Sequence, residues 1–488
     1  MPTGSNNSQR YLILSIVLIL ALPLLFVNIK DSYDWGGDFA MYLKQTENIV
    51  KGVPQSATGY IYNENYSMLG PPAYTVGFPL LLTPVYIFYE FKIIPYNYYL
   101  TLMLIAFAVF SAVLISRYNK TASVLLPLLI LYNPWTITFK SSIVADIPFA
   151  LLLIVTILYL RTTITNKRII PAALLTALLI SIKGIGLVVL FAITIYHLLK
   201  YRKSKKQIIP ILAYSSLSVF IFLFVNKVLI PLPSGDVYPY INPTVISELW
   251  YNFVTNSNYY LNVFQSFFNA ENPFLQVFGN IMTPILVCLI LFGMVKKMLF
   301  HFNIEDAVFI AFIFTLLIYP YGASGFRFLL PISTLVMLYL AFGITSLINN
   351  KKIQTASFVL LTAGYMALYS FHVIQIIKHS KNIQAGPQEL YSVEAFDYIR
   401  SNTDPNDRFL FAKPRVLALY TGRASVANNN ALLDEDILKL INEKGINNVL
   451  INDRISDQII KDLVIKNAKH FEKEVINDDF TLYKVIRE

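Results

Sequence analysis

Four charged residues stand where an apolar chain has little use for them. Asp38, in "WGGDFAMYLKQTENIVKG" (35 to 52), follows directly on an apolar run, and Asp146, in "KSSIVADIPFALLLIV", directly precedes one. Lys183 interrupts another run at "SIKGIG", and Arg327 sits in "YGASGFRFLLP" just before the next. Ionisable groups at such places are costly and mark functional positions. A positioned carboxylate can take the proton of a hydroxyl as that oxygen becomes a nucleophile. Two cations at headgroup depth suit a lipid phosphate. Each residue also has a plainer use: an Asp at a helix start is a cap, and a lone cation near the bilayer boundary snorkels.

The chain around them is built for a membrane. Of its 488 residues 56% are hydrophobic and only 14% charged, with a mean hydropathy of +0.55. A soluble domain carries about a quarter charged residues, so this is a polytopic α-helical membrane protein. The formal charge of +10 is unevenly spread. Residues 378 to 488 hold 16 basic and 17 acidic side chains, and residues 1 to 377 hold 23 and 12. The excess therefore belongs to the membrane part and does not point to nucleic acid. The single cysteine, Cys288, excludes an intrachain disulfide or a Cys-based zinc site.

Charge also threads the chain. Basic clusters at "SRYNK" (116 to 120), "RTTITNKR" (161 to 168), "KYRKSKK" (200 to 206), "KK" (296 to 297) and "NNKK" (349 to 352) are placed in the cytoplasm by the positive-inside rule. The run at 76 to 91 then cannot span and lies at the outer interface. The run from Ile169 to Leu199 has basic flanks at both ends and must leave and return, a hairpin whose arms are each about 22 Å long. Its apex is "SIKGIG", with Gly184 as the breaker. About eleven spans result, with the N-terminus inside, the C-terminus outside, and large outer segments at 30 to 97 and 231 to 273.

Residues 1 to 377 thus form the membrane region, and residues 378 to 488 read as a small extracytoplasmic α/β domain. "DRFLFAKP", "INNVLIND" and "TLYKVI" have the pattern of strands, "SVEAFDYIRSN" and "DEDILKLINEKG" that of helices. After Asp38 the spacing of apolar residues up to Gly52 predicts an amphipathic helix on the interface, carrying Tyr42. The stretch "YNENYSMLGPPAYTVGFPLLLTP" (62 to 84), with Tyr74 at its centre, could line a sugar-sized cleft, although aromatic residues at this depth also form an ordinary interfacial belt. A transporter or lipid flippase is the rival from another class. It would show inverted repeats and midplane charges, and neither is visible.

In order, these features resemble the C-fold (GT-C) glycosyltransferases that use polyprenyl-phosphate sugar donors, in particular the relatives of protein O-mannosyltransferases and aminoarabinose transferases. The matching pieces are Asp38, Tyr42 and Gly52; "PPAYTVGFPLLL"; "ADIPF"; "SIKGIG"; "RFLLP"; and "YIRSNTDPNDRFLFAKPRVLALYTGR". The resemblance implies transfer of a sugar from the lipid phosphate to a lipid, glycan or protein hydroxyl on the outer face. It implies Asp38 and Asp146 as the catalytic residues, Asp38 matching the catalytic acid and Asp146 the second outer-loop acid, and Lys183 and Arg327 as contacts to the donor phosphate. Tyr42 and Tyr74 are then expected to touch substrate. Many relatives have Asp-Glu at the first acid where this chain has Asp38-Phe39, so no metal site and no cofactor is indicated.

Overall fold

Apolar helices dominate the computed structural model, which describes residues 7–232, 246–266, 273–319, 325–380, 382–428 and 433–487. Among the described residues, five helices are long and apolar enough to cross a membrane: Ile93–Ile115, Lys205–Leu229, Gly279–His301, Leu330–Leu347 and Lys351–His379. Shorter apolar helices include Tyr11–Leu25, Gly77–Tyr89, Lys120–Leu131, Asp146–Leu160 and Gly186–Lys200. Of the segment expected outside at 231 to 273, residues 233–245 and 267–272 lie outside the described residues; a helix, Ile246–Ser266, lies between them.

The chain divides into two compact units. The first comprises Met1–Ile29, Pro95–Val225 and Tyr240–Lys381. Within it the helices Pro273–His301 and Ser333–Leu347 cross at two glycines. A Cβ on Gly293 would fall 2.0 Å from the Tyr339 carbonyl oxygen, and one on Gly343 would fall 2.2 Å from that of Leu289. Small residues let two backbones come this close, which is how helices associate where lipid removes the hydrophobic drive. The run 169 to 199 is indeed broken: helices Ile169–Ile182 and Gly186–Lys200 are separated at Lys183, whose backbone is extended (φ −147, ψ 132). Here too a glycine is required, since a Cβ on Gly186 would meet the Ile180 Cα at 2.7 Å.

A buried charge cluster ties three helices of this unit, Pro273–His301, Ile304–Ile318 and Ser333–Leu347, to the turns that hold Tyr118 and Arg161. Lys297 lies 2.5 Å from Asp306 and 3.1 Å from Glu305, Arg161 lies 3.4 Å from Glu305, and Tyr118 and Tyr339 donate to Glu305 and Asp306. Two cations and two carboxylates cancel, so the cluster carries no net charge into the apolar surroundings.

The second unit comprises Lys30–Ile94, Asn226–Pro239 and Asn382–Glu488. Its sheet has the order β2-β1-β3-β5-β4, with β1 Arg408–Leu410, β2 Ala424–Val426, β3 Asn448–Asn452, β4 Phe471–Val475 and β5 Phe480–Val485. The β2-β1-β3 half is parallel and the β3-β5-β4 half antiparallel. All five residues of β3 are buried, as its apolar run requires. Helices Leu390–Asn402 and Asp434–Glu443 fall on the two stretches read as helical, while β2, β4 and the helices Pro414–Thr421 and Gln458–Lys466 lacked a legible pattern. β2 is three residues long, and β4, "FEKEV", is an edge strand with mostly solvated side chains.

Residues 30 to 94, grouped by sequence with the membrane region, pack instead with the C-terminal chain. The loop at 59 to 61 adds to the β2 edge: Ser425 donates to the Gly59 carbonyl and Ile61 donates to that of Ser425, both at 2.8 Å. Trp35 rests among Phe396, Phe411 and Phe480, with ring centroids 6.1 to 6.5 Å away. An unpaired strand edge and an apolar pocket are what this segment covers.

Candidate active site

The six residues expected to carry the chemistry, together with Arg415, fall into two groups, one in each unit. In the second unit the group grows from the helix Gly37–Lys51. Its N-cap is Gly36, in extended backbone and without a side chain to cap with, and Asp38 lies in the first turn. Asp38, Tyr42 and Gln45 follow one another at helical spacing along one face. Gln45 pins the backbone of Tyr74 from both sides: its Nε2 donates to the Tyr74 carbonyl at 2.8 Å, and its Oε1 accepts from the Tyr74 amide at 2.9 Å. Tyr42 stacks on the Tyr74 ring, centroids 4.8 Å apart, and meets Phe78 edge-on. So held, the Tyr74 hydroxyl donates to Asp38 Oδ1 at 2.7 Å.

Asp38 keeps 32% of its side-chain surface, enough to meet a substrate. Burial, reinforced by the Asp38 carboxylate and opposed by Arg415, holds the Tyr74 phenol well above its ordinary pKa. It therefore stays protonated and remains a donor at any physiological pH. Tyr42, expected at the substrate, is buried behind Tyr74 and serves as its packing surface. Asp38 forms the partly exposed face of the group, with Tyr74 behind it.

Arg415, which the sequence did not single out, completes it. The residue belongs to the helix Pro414–Thr421, and its side chain is 3% exposed. Its Nη1 donates to the Tyr74 hydroxyl at 2.9 Å and lies 3.7 Å from Asp38 Oδ1, and its Nη2 donates to the Pro71 carbonyl at 3.0 Å. The guanidinium lies over the rings of Tyr60 and Tyr74, at 4.8 and 5.2 Å. Gly70, with φ +108, leaves it room, since a Cβ there would sit 2.7 Å from Nη2.

In the first unit the other three expected residues come together. Asp146, at the start of the helix Asp146–Leu160, accepts from Lys183 Nζ at 2.6 Å through Oδ1 and from Arg327 Nε at 3.1 Å through Oδ2. The acid has no exposed side-chain surface, whereas both cations are partly exposed. Lys183 also lies over the Phe328 ring, 5.1 Å from its centroid. Asp146 thus brings two cations side by side, each reaching it through a different carboxylate oxygen. Asp146 is placed to anchor these cations, a different position from that of an acid facing substrate.

Among the described residues no three of His, Cys, Asp or Glu stand together in a metal-holding group. Beside Asp38 stands a guanidinium, where a divalent ion would need further carboxylate or imidazole ligands.

No protein-family model matches the chain, and no curated protein matches it by sequence. Solved structures do. ArnT from Cupriavidus metallidurans bound to undecaprenyl phosphate is similar with a TM-score of 0.58 at 11% identity, over 96% of this chain and 97% of that one. The oligosaccharyltransferase of Archaeoglobus fulgidus in complex with zinc and sulfate is similar with a TM-score of 0.59 at 12% identity, over 97% of this chain and 73% of that one. Both are membrane glycosyltransferases. With its run of apolar helices and this end-to-end likeness, the chain is a multi-pass membrane protein with the GT-C fold.

Proposed function

We propose that this protein is a membrane glycosyltransferase that moves a sugar from a polyprenyl-phosphate donor to an acceptor hydroxyl on the extracytoplasmic face. The observation that carries the reading is the fold likeness, along nearly the whole of both chains, to a structure that holds undecaprenyl phosphate. In this reading the chain crosses a bacterial inner membrane about eleven times, with the N-terminus inside and the C-terminus outside, as its basic clusters require. The acceptor is a lipid, a glycan or a protein.

The acceptor oxygen bonds to the anomeric carbon of the sugar while the bond from that carbon to the phosphate oxygen breaks. Polyprenyl phosphate leaves with the bonding pair. Asp38 takes the acceptor proton, a contribution of roughly 10² to 10⁴ in rate for a well-placed base. Tyr74 aims the carboxylate by donating to Oδ1. Lys183 and Arg327 hold the donor phosphate and stabilise the charge it gains on leaving. Asp146 acts as a positioning residue, fixing the geometry of both cations.

The test is purification from native membranes followed by mass spectrometry of bound lipid. A polyprenyl phosphate or its glycoside should accompany the parent and be depleted at least tenfold in Lys183→Ala and Arg327→Ala, because each removes a charge-assisted contact to phosphate. Recovery of bulk phospholipid alone from the parent would overturn the reading.

A further inference from the structure

Arg415 occupies a place that opposes its charge. Its guanidinium is buried, which is costly for any ion, and it sits in the first turn of the helix Pro414–Thr421, where the peptide dipoles disfavour a cation. A methionine would fill the same space without either penalty. What the arginine gains is specific: a donor to the Tyr74 hydroxyl, a donor to the Pro71 carbonyl, and the Asp38 carboxylate 3.7 Å away. Room is made for it on both sides, by Gly70 and by Gly37, where a Cβ would stand 3.4 Å from Arg415 Cδ. The hydrogen bonds run in one direction, from Arg415 to the Tyr74 oxygen and from the Tyr74 hydroxyl to Asp38.

We propose that Arg415 is a positioning residue of the transfer reaction: it orients the Tyr74 hydroxyl and the Asp38 carboxylate, so that the C-terminal domain completes the catalytic base. This rests on the reading of Asp38 as the base. Satisfied as an acceptor by Arg415, the Tyr74 hydroxyl directs its proton to Asp38, which fixes the direction in which the carboxylate faces. The C-terminal domain thus belongs to the catalytic apparatus, and Arg415 and Tyr74, 341 positions apart, act as one unit.

The experiment uses full-length protein in native membranes and a panel of synthetic hexosyl- and pentosyl-phosphoundecaprenols, with the undecaprenyl phosphate set free as the sugar passes to envelope acceptors as the readout. Arg415→Met should lower kcat by about 10²-fold with the donor KM near parental, the size of loss expected when a reacting group is misplaced by about an ångström. Arg415→Lys, which keeps the charge but not the fork of donors, should regain roughly tenfold. Combined with Tyr74→Phe, the Arg415→Met loss should be far less than additive. Rates are taken per folded molecule, from protease resistance of the C-terminal domain. A parental kcat per folded molecule in Arg415→Met would overturn the proposal. Should that variant not fold, a strictly additive Arg415→Lys and Tyr74→Phe pair would overturn it as well. If the parent releases undecaprenyl phosphate from no donor in the panel, the transferase reading fails, and this role fails with it.

Discussion

Residue by residue, the two acids stand in different surroundings. Asp38 is partly exposed and takes a hydrogen bond from a tyrosine, while Asp146 is wholly buried and shared between two cations. Substitution by asparagine separates the base from a cap. Asn caps a helix almost as well as Asp, and the N-cap here is Gly36 in any case. Asparagine also still accepts from Tyr74, but it cannot take a proton. Asp38→Asn should therefore insert and fold while its turnover, measured as transfer from a polyprenyl-phosphate sugar, falls by about 10²-fold or more. Near-parental transfer would remove the base from Asp38. Tyr42 backs this pair, and Tyr42→Ala would strip Tyr74 of the ring it stacks on.

At the scale of elements, the first-unit site depends on a helix break. Lys183 reaches Asp146 because the chain stops being helical at residue 183 and resumes at Gly186, packed against Ile180. No side chain fits at Gly186 without moving backbone, the kind of clash a close-packed interior relieves only by shifting a whole element. Gly186→Val should thus pull Lys183 away from Asp146 and depress lipid-phosphate retention about as much as Lys183→Ala, at least tenfold by the same mass-spectrometric measurement. Gly343→Val, at the crossing with Gly293, should act otherwise: it forces two helices apart and lowers the yield of folded protein, with no selective effect on the bound lipid. Parental lipid retention in Gly186→Val would mean that the break does not place Lys183.

At the scale of the whole molecule, the claim to check is which side of the membrane each segment occupies, since a reaction on the outer face needs Asp38 outside. In a Cys288→Ser background, single cysteines at the exposed positions Ser56 and Ser401 should react with an impermeant thiol reagent added to intact cells. A cysteine at Lys203, within the most basic loop, should react only after the membrane is permeabilised. Labelling of Lys203→Cys in intact cells would invert the topology and dismiss an extracytoplasmic reaction. The buried cluster of Arg161, Lys297, Glu305 and Asp306 belongs to this scale too, because it joins helices far apart in sequence without leaving a net charge.

Local rules were enough to read a good deal of this protein from its residues. Hydropathy and charge are properties of short windows, so the apolar runs, the break at Lys183 and the helix that starts beside Asp38 were legible before any fold was known. So were the strands around "FLF" and "VLI", whose side chains are buried on both faces. What could not be read were pairings across the chain. Arg415 is one of 16 basic residues in the last 111, and nothing in its neighbourhood separates it from the others. Only packing brings it to Asp38, with two glycines clearing the way. Asp146 looked like Asp38, an acid at the end of an apolar run, and only the approach of Lys183 and Arg327 made it an anchor. The segment at 30 to 94 likewise joined the C-terminal chain because it covers a strand edge that does not exist until the sheet has formed. A window of sequence carries propensity and charge; which distant partner satisfies a buried ion or an open edge is fixed by tertiary packing alone.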